Sequence, residues 1–322
     1  MSWENPVRGT TLEVIKVSRQ VRLNEEAINN LALKWLEKRM KAPPWPAPLH
    51  LETSNRRMLL DYLIILDSLN FCFWSRNKSR WEIWHDGEKY TGYYALALAL
   101  KRFFERKPEK ANFLYLREIS FEEFRLWFQG GANLLFLKRR WEILRSVSDF
   151  FSKEYGNDSR NFLLSANGYL STLIPRIAYQ IPSFNDVTYY NGGMVYLWKR
   201  AQILAADIIG AFQGRGLGAF KDPEYLTAFA DYKLPQILFH YGILEYTPEL
   251  REKIRNLVIL PAGSPEEIEI RSATIWAVEL LKFILNRRGK NLLSYEIDWL
   301  LWNESQKEKM RLPHHLTGTI FY

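Results

Sequence analysis

At 322 residues, 47% of them hydrophobic and 15% aromatic, the chain carries ample material for a buried core, which argues against disorder. Its 44 Lys and Arg against 36 Asp and Glu give a formal charge of +8 and favour anionic partners, whether nucleic acid, nucleotide or phosphorylated metabolite. The single cysteine, Cys72, excludes an internal disulfide and a cysteine-based zinc site.

The N-terminus, Met1-Ser2-Trp3-Glu4-Asn5-Pro6, lacks the basic start and apolar core of a secretory signal, so the expected location is the cytoplasm. Asn24 can cap a helix with Ile28, Leu31, Trp35 and Leu36 on one face and Glu25 and Glu26 in its first turn. Pro43, Pro44, Pro46 and Pro48 then break the pattern. Residues 1–48 are therefore read as a helical extension with a Pro-rich connector over 40–49, and residues 49–322 as the body. Helical spacing resumes from Leu59 to Leu69, and Asp86-Gly87 before Tyr90 predicts a tight hairpin. The longest apolar run, Tyr93 to Leu100, falls far short of the roughly 20 residues that span a bilayer, and no membrane partner is expected. Asn191-Gly192 predicts a second hairpin between Val187–Tyr190 and Met194–Tyr196. Leu197 to Phe212 then reads as a helix ending at Gly214, Gly216 and Gly218, a cluster without the lysine-serine pair of a P-loop. Asp222-Pro223 predicts a helix to about Ala230, and Pro235 sits in the first turn of another reaching Tyr241. Asp231 falls in the joint between them. Further helices are predicted over Pro248–Val258, Ala273–Asn286 and Leu292–Trp302. The pattern is that of a single, mainly α domain with small β-hairpins.

Two residues stand out as candidate chemistry. Asp231 lies among apolar neighbours in Phe229 to Gln236, and Lys199 lies between Trp198 and a helical apolar run. A lysine and an aspartate with inward-facing sides form a functional-site candidate. Spacing alone leaves Asp231 equally a helix-capping residue. It leaves Lys199 as a snorkelling surface lysine, a cation pairing Asp231 or a phosphate, or an amine nucleophile. His50, His85 and His240 lack metal-ligand spacing and His314-His315 are a poor chelate, so neither metal nor other cofactor is expected. Basic clusters such as Lys138-Arg139-Arg140 read as solvated helix faces.

Several rare words run in order from about Leu66 to Tyr322: Leu69-Asn70-Phe71-Cys72-Phe73-Trp74, Tyr90-Thr91-Gly92-Tyr93-Tyr94, Lys199 to Asp207, Phe229 to Gln236, Glu269-Ile270-Arg271, and His315 followed by Ile320-Phe321-Tyr322. Together they resemble the queuosine salvage family of queuosine 5'-phosphate N-glycosylases. The resemblance implies hydrolysis of queuosine 5'-monophosphate to queuine and ribose 5-phosphate, on a fold similar to helix-hairpin-helix DNA glycosylases. It implies that Asp231 stabilises the oxocarbenium-like state and guides water, and that Lys199 is a cation or an amine nucleophile. The chain lacks the tight Gly-rich hairpin and short lysine-aspartate spacing of those glycosylases, so the positioned cation is the preferred reading. Queuine is a 7-deazaguanine, so protonation at ring position seven, the usual aid to a departing purine, is closed. Asn70, Phe71, Phe73, Trp74, Tyr232 and Trp276 are then candidates for holding the base, and Glu269, Arg271 and His315 for the guanine edge, diol or phosphate. Lys199-Arg200 would grip the 5'-phosphate. The expected partners are the nucleotide and its base, with no stable nucleic-acid partner. The rivals are a glycosylase acting on polymer and a queuosine-binding protein without turnover.

Overall fold

Helices dominate the computed structural model, which describes residues 5–38, 45, 49–75, 80–129 and 134–322. In chain order they are α1 (Pro6–Val17), α2 (Glu25–Glu37), α3 (Arg56–Ser68), α4 (Gly92–Arg106), α5 (Phe113–Leu116), α6 (Phe121–Leu126), α7 (Leu137–Glu154), α8 (Ser159–Leu164), α9 (Leu170–Gln180), α10 (Lys199–Ala211), α11 (Lys233–His240), α12 (Pro248–Arg255), α13 (Pro265–Arg287) and α14 (Ser294–Ser305). Three antiparallel strand pairs accompany them: β1 (Val21–Leu23) with β6 (Leu244–Tyr246), β2 (Glu82–His85) with β3 (Glu88–Thr91), and β4 (Val187–Tyr190) with β5 (Gly193–Tyr196). The mainly α class with little sheet is thus observed. No described helix is long and apolar enough to cross a membrane.

Local chemistry sets many of these boundaries. Asn24 accepts from the Ala27 N–H and opens α2, which buries Ile28, Leu31 and Trp35. Asn5 accepts from the Val7 and Arg8 N–H groups, with Pro6 in the first turn of α1. Both predicted hairpins turn on left-handed pairs, Asp86-Gly87 at φ 49° and 79° and Asn191-Gly192 at φ 48° and 81°. The predicted connector over 40–49 lies outside the described residues, apart from Trp45 and Leu49.

The helix predicted from Asp222 to about Ala230 does not form. A single 3-10 turn, Pro223–Tyr225, gives way to an irregular segment over 226–231. Side chains from four helices take its backbone groups. Gln202 Oε1 accepts the Thr227 N–H at 2.9 Å and Asp298 Oδ2 accepts the Phe229 N–H at 2.6 Å. Arg271 Nε donates to Ala230 O at 3.3 Å and Arg8 Nη2 to Leu226 O at 2.8 Å. With its polar groups satisfied from outside, the segment needs no helix.

Arg140, expected on a solvated face, is fully buried. Its guanidinium donates to Leu69 O at 3.2 Å and to Phe71 O and Leu135 O, while Arg200 donates to Asp67 O at 3.1 Å and to Ser68 O and Ser183 O. These two cations satisfy the carbonyls at the C-terminal end of α3, where a positive charge is favoured, and fix the chain that follows. Two hydrophobic clusters complete the body. One centres on α3, α4, α7, α9 and α10, the other on α2, α11, α13 and α14. A cavity is lined mostly by side chains of the first cluster, with Trp302 of the second also on its wall.

Candidate active site

The hairpin β4–β5 delivers the chain to α10 through Trp198, buried at φ 46°. Asp186 holds this corner: its carbonyl accepts the Leu197 and Trp198 N–H groups at 3.0 and 3.1 Å, and its Oδ2 accepts the Lys199 N–H at 3.3 Å. The same carboxylate is clasped by the Arg271 guanidinium, Nη1 to Oδ1 at 3.1 Å and Nη2 to Oδ2 at 2.5 Å. A buried ion pair therefore sets where α10 begins and where Lys199 points. The Lys199 side chain lines the cavity and the residue is only 5% exposed. Burial pushes its pKa down, with Asp231 and Asp67 opposing and Arg200 reinforcing the shift. Among the described residues no carboxylate oxygen comes within 4 Å of its ammonium. Ile203 and Asp207 follow one and two turns along the same face and line the same cavity.

Asp231 closes the irregular segment at the start of α11. Its Oδ1 accepts the Lys233 and Leu234 N–H groups at 2.8 and 2.9 Å. It is thus a capping residue, and it also lines the cavity. One oxygen is committed to the backbone; the other has no hydrogen-bond partner among the described residues. The capping and chemical readings of this aspartate are compatible in one geometry.

The cavity holds about 260 Å³, the scale of a site for one small molecule. One end is cationic through Arg80 and Lys233, with His314 beside them. Burial and the Arg80 charge push the Lys233 pKa down, with Asp231 opposing. Burial brings His314 down to about 4, so at neutral pH its ring is uncharged. The other end is aromatic, walled by Trp45, Tyr93, Tyr94, Trp299 and Trp302, with Tyr94 edge-on to Trp302 at 5.4 Å. Gly210 of α10 permits the closure there, since a Cβ would lie 2.9 Å from the Trp45 ring. Asp207 is the carboxylate of this end. Its Oδ2 accepts from Tyr93 Oη at 3.0 Å, and Tyr93 Oη lies 2.9 Å from His50 Nε2. Burial pushes its pKa up to about 7, opposed by the Tyr93 bond and Lys199. Asp67, wholly buried behind it, is pushed well up by burial and by the Asp207 charge.

Of the residues singled out from sequence, Asp231, Lys199, Asn70, Phe73, Trp74 and Tyr232 line this cavity. The others lie elsewhere. Phe71 is core, its ring under the Arg140 and Arg200 guanidiniums at 4.2 and 5.0 Å. Glu269 Oε2 accepts from Ser18 Oγ and the Arg19, Gln20 and Val21 N–H groups at 2.6 to 3.1 Å, and its Oε1 from Tyr190 Oη at 2.7 Å. Arg271 is spent on Asp186 and Glu267. Trp276 donates to Thr11 Oγ1 at 3.1 Å, and His315 is buried against Tyr322 Oη at 3.2 Å. Arg200, expected on a phosphate, faces carbonyls instead.

The sequence reading gave no role to Arg80, Tyr93, Tyr94, Asp207, Asp298, Trp299, Trp302 or His314. Two signals were available. Asp207 lies eight residues beyond Lys199, two turns along one helix face, and Asp298, Trp299, Trp302 and Asn303 share a face of α14.

A family model described as queuosine salvage protein matches residues 49–322. The queuosine 5'-phosphate N-glycosylase/hydrolase of Sphaerobacter thermophilus is 40% identical over 314 residues, 97% of this chain and 96% of its own length. Proteins of the same name from Dictyostelium discoideum and Mus musculus are 35% identical over 329 residues and 32% over 276, covering 98% and 82% of both chains. Motifs, cavity and relatives agree: the chain belongs to the queuosine salvage protein family.

Proposed function

We propose that this chain hydrolyses the N-glycosidic bond of queuosine 5'-monophosphate, releasing queuine and ribose 5-phosphate for salvage of the base toward tRNA modification. The observation that carries it is one cavity whose lining gathers the cations Arg80 and Lys233, an aromatic cluster, and Asp231 with Lys199. A nucleoside monophosphate has matching parts: anion, scissile sugar, flat base. Lys199 to Asp207 spans eight residues of helix, a rise of about 12 Å, which separates sugar from base on this scale. Asp231 would face the positive charge that grows on the sugar and orient the attacking water, while Lys199 holds the substrate in place. The convergence of a lysine and an aspartate also supports kinship with helix-hairpin-helix glycosylases. We take 49–322 as the catalytic unit, with the extension 1–48 contributing Trp45 to the aromatic end.

Incubation with queuosine 5'-monophosphate should yield free queuine, detected by mass spectrometry, and intact queuosine-containing tRNA should yield none. Binding without release would identify a carrier, and release from tRNA a polymer glycosylase.

The phosphate is assigned to Arg80 and Lys233 rather than Lys199-Arg200. Arg80→Ala and Lys233→Ala should each raise KM for the monophosphate about tenfold, the scale of one charge-assisted hydrogen bond. Kinetics on the free nucleoside should be unaffected, and an equal rise on both substrates would move the phosphate elsewhere.

An amine nucleophile would leave an imine adduct that borohydride traps, whereas a cation leaves none. No ribose 5-phosphate adduct on Lys199 is expected, and Lys199→Arg should lose activity only in part. A trapped adduct found by mass spectrometry would make the enzyme covalent.

A further inference from the structure

Asp298 on α14 has no part in the chemistry described so far. The residue is 3% exposed and lines the cavity with Phe229 and Asp231. Its Oδ2 accepts the Phe229 N–H at 2.6 Å, which anchors the carboxyl to the segment ending in Asp231. Its Oδ1 has no hydrogen-bond partner among the described residues and is the oxygen left for a ligand. Burial pushes the pKa of this carboxyl well up, the Phe229 N–H bond opposes, the Asp231 charge adds to the rise and Lys199 opposes it. That direction favours the protonated form of Asp298, whose carboxyl lines the same cavity as Asp231. The cavity thus holds two carboxyl groups in different settings, one tied to the backbone at the start of α11 and one buried on α14, and such a pair can divide the roles of acid and base.

The substrate needs such an acid. When the bond between the anomeric carbon and the base nitrogen breaks, its electron pair goes to the base, and a 7-deazapurine has a carbon where a purine would take up a proton. We propose that Asp298 is the general acid of the reaction, giving its Oδ1 proton to the glycosidic nitrogen as the base leaves. This rests on the hydrolase reading above. As the bond breaks, the electron pair and the Asp298 proton together complete the N–H of free queuine. Water bonds to the anomeric carbon and its proton passes to Asp231. Return of that proton from Asp231 to Asp298 restores both groups, so the net change is addition of one water.

The test is Asp298→Asn, whose amide oxygen still accepts the Phe229 N–H. Single-turnover rate constants with excess enzyme do not depend on the folded fraction. Queuine release should slow about a hundredfold, the scale of a lost general acid. On 7-cyano-7-deazaguanosine 5'-monophosphate, whose nitrile makes the base a better leaving group, the variant should fall less than tenfold below wild type. Undiminished queuine release overturns the assignment. So does an equal loss on both nucleotides, or no cleavage of the cyano nucleotide by the variant, because a merely structural role affects both alike. Failure of the wild-type protein to release queuine would instead count against the hydrolase reading.

Discussion

Asp231→Asn should slow queuine release by about a hundredfold or more while fold and substrate affinity survive, the scale of a lost charge-stabilising or base group. The structure makes this substitution informative because Asp231 has two duties on two oxygens. Oδ1 accepts the Lys233 and Leu234 N–H groups, and an asparagine carbonyl can do the same. Only the negative charge and the second acceptor oxygen are lost. Asp231→Ala removes the cap as well and should cost about 1 kcal/mol of stability besides. Single-turnover rates, calorimetric binding and thermal melts of the two variants separate the duties. Near wild-type turnover in Asp231→Asn would leave this residue with capping alone.

The largest loss of stability is expected from Arg271→Leu, about 3–5 kcal/mol, the cost of leaving buried charges without their partner. Arg271 pairs with Asp186 and Glu267, and all three side chains are at most 4% exposed. Its removal strands two carboxylates in the protein interior and frees the group that caps the start of α10. Lys199 should then lose its fixed position, so that the folded fraction also turns over more slowly. Urea unfolding followed by tryptophan fluorescence gives the stability change. A loss below about 1 kcal/mol, with a raised KM instead, would return Arg271 to the substrate-binding role that its motif suggests.

Features of the fold that depend on neighbours in sequence were legible. Asn24 before an amphipathic run, Asp86-Gly87 and Asn191-Gly192 each act within a few residues, and each appears where expected. Pairing that depends on distance was not. β1 and β6 join Val21 to Tyr246 through three-residue strands, too short for any periodicity to declare. The helix predicted up to Ala230 failed because Gln202, Arg271 and Asp298, remote in sequence, satisfy that backbone from the side. The same division runs through the site. Lys199 and Asp231 carry recognisable words around them, whereas Arg80, Asp298 and Trp302 line the cavity only because separate elements converge there. Glu269 and Arg271 sit in a word just as recognisable, and the structure uses them to hold the chain beside the site.

The segment ending in Asp231 hangs from side chains of α1, α10, α13 and α14, and the tie from Arg8 spans 218 residues of sequence. Such contacts repay their loop-closure entropy only after the elements at both ends are in place. The helices can therefore form, and much of both cores can condense, before Asp231 faces Lys199. Catalytic competence should be among the last properties this chain acquires as it folds and among the first it gives up as it loosens.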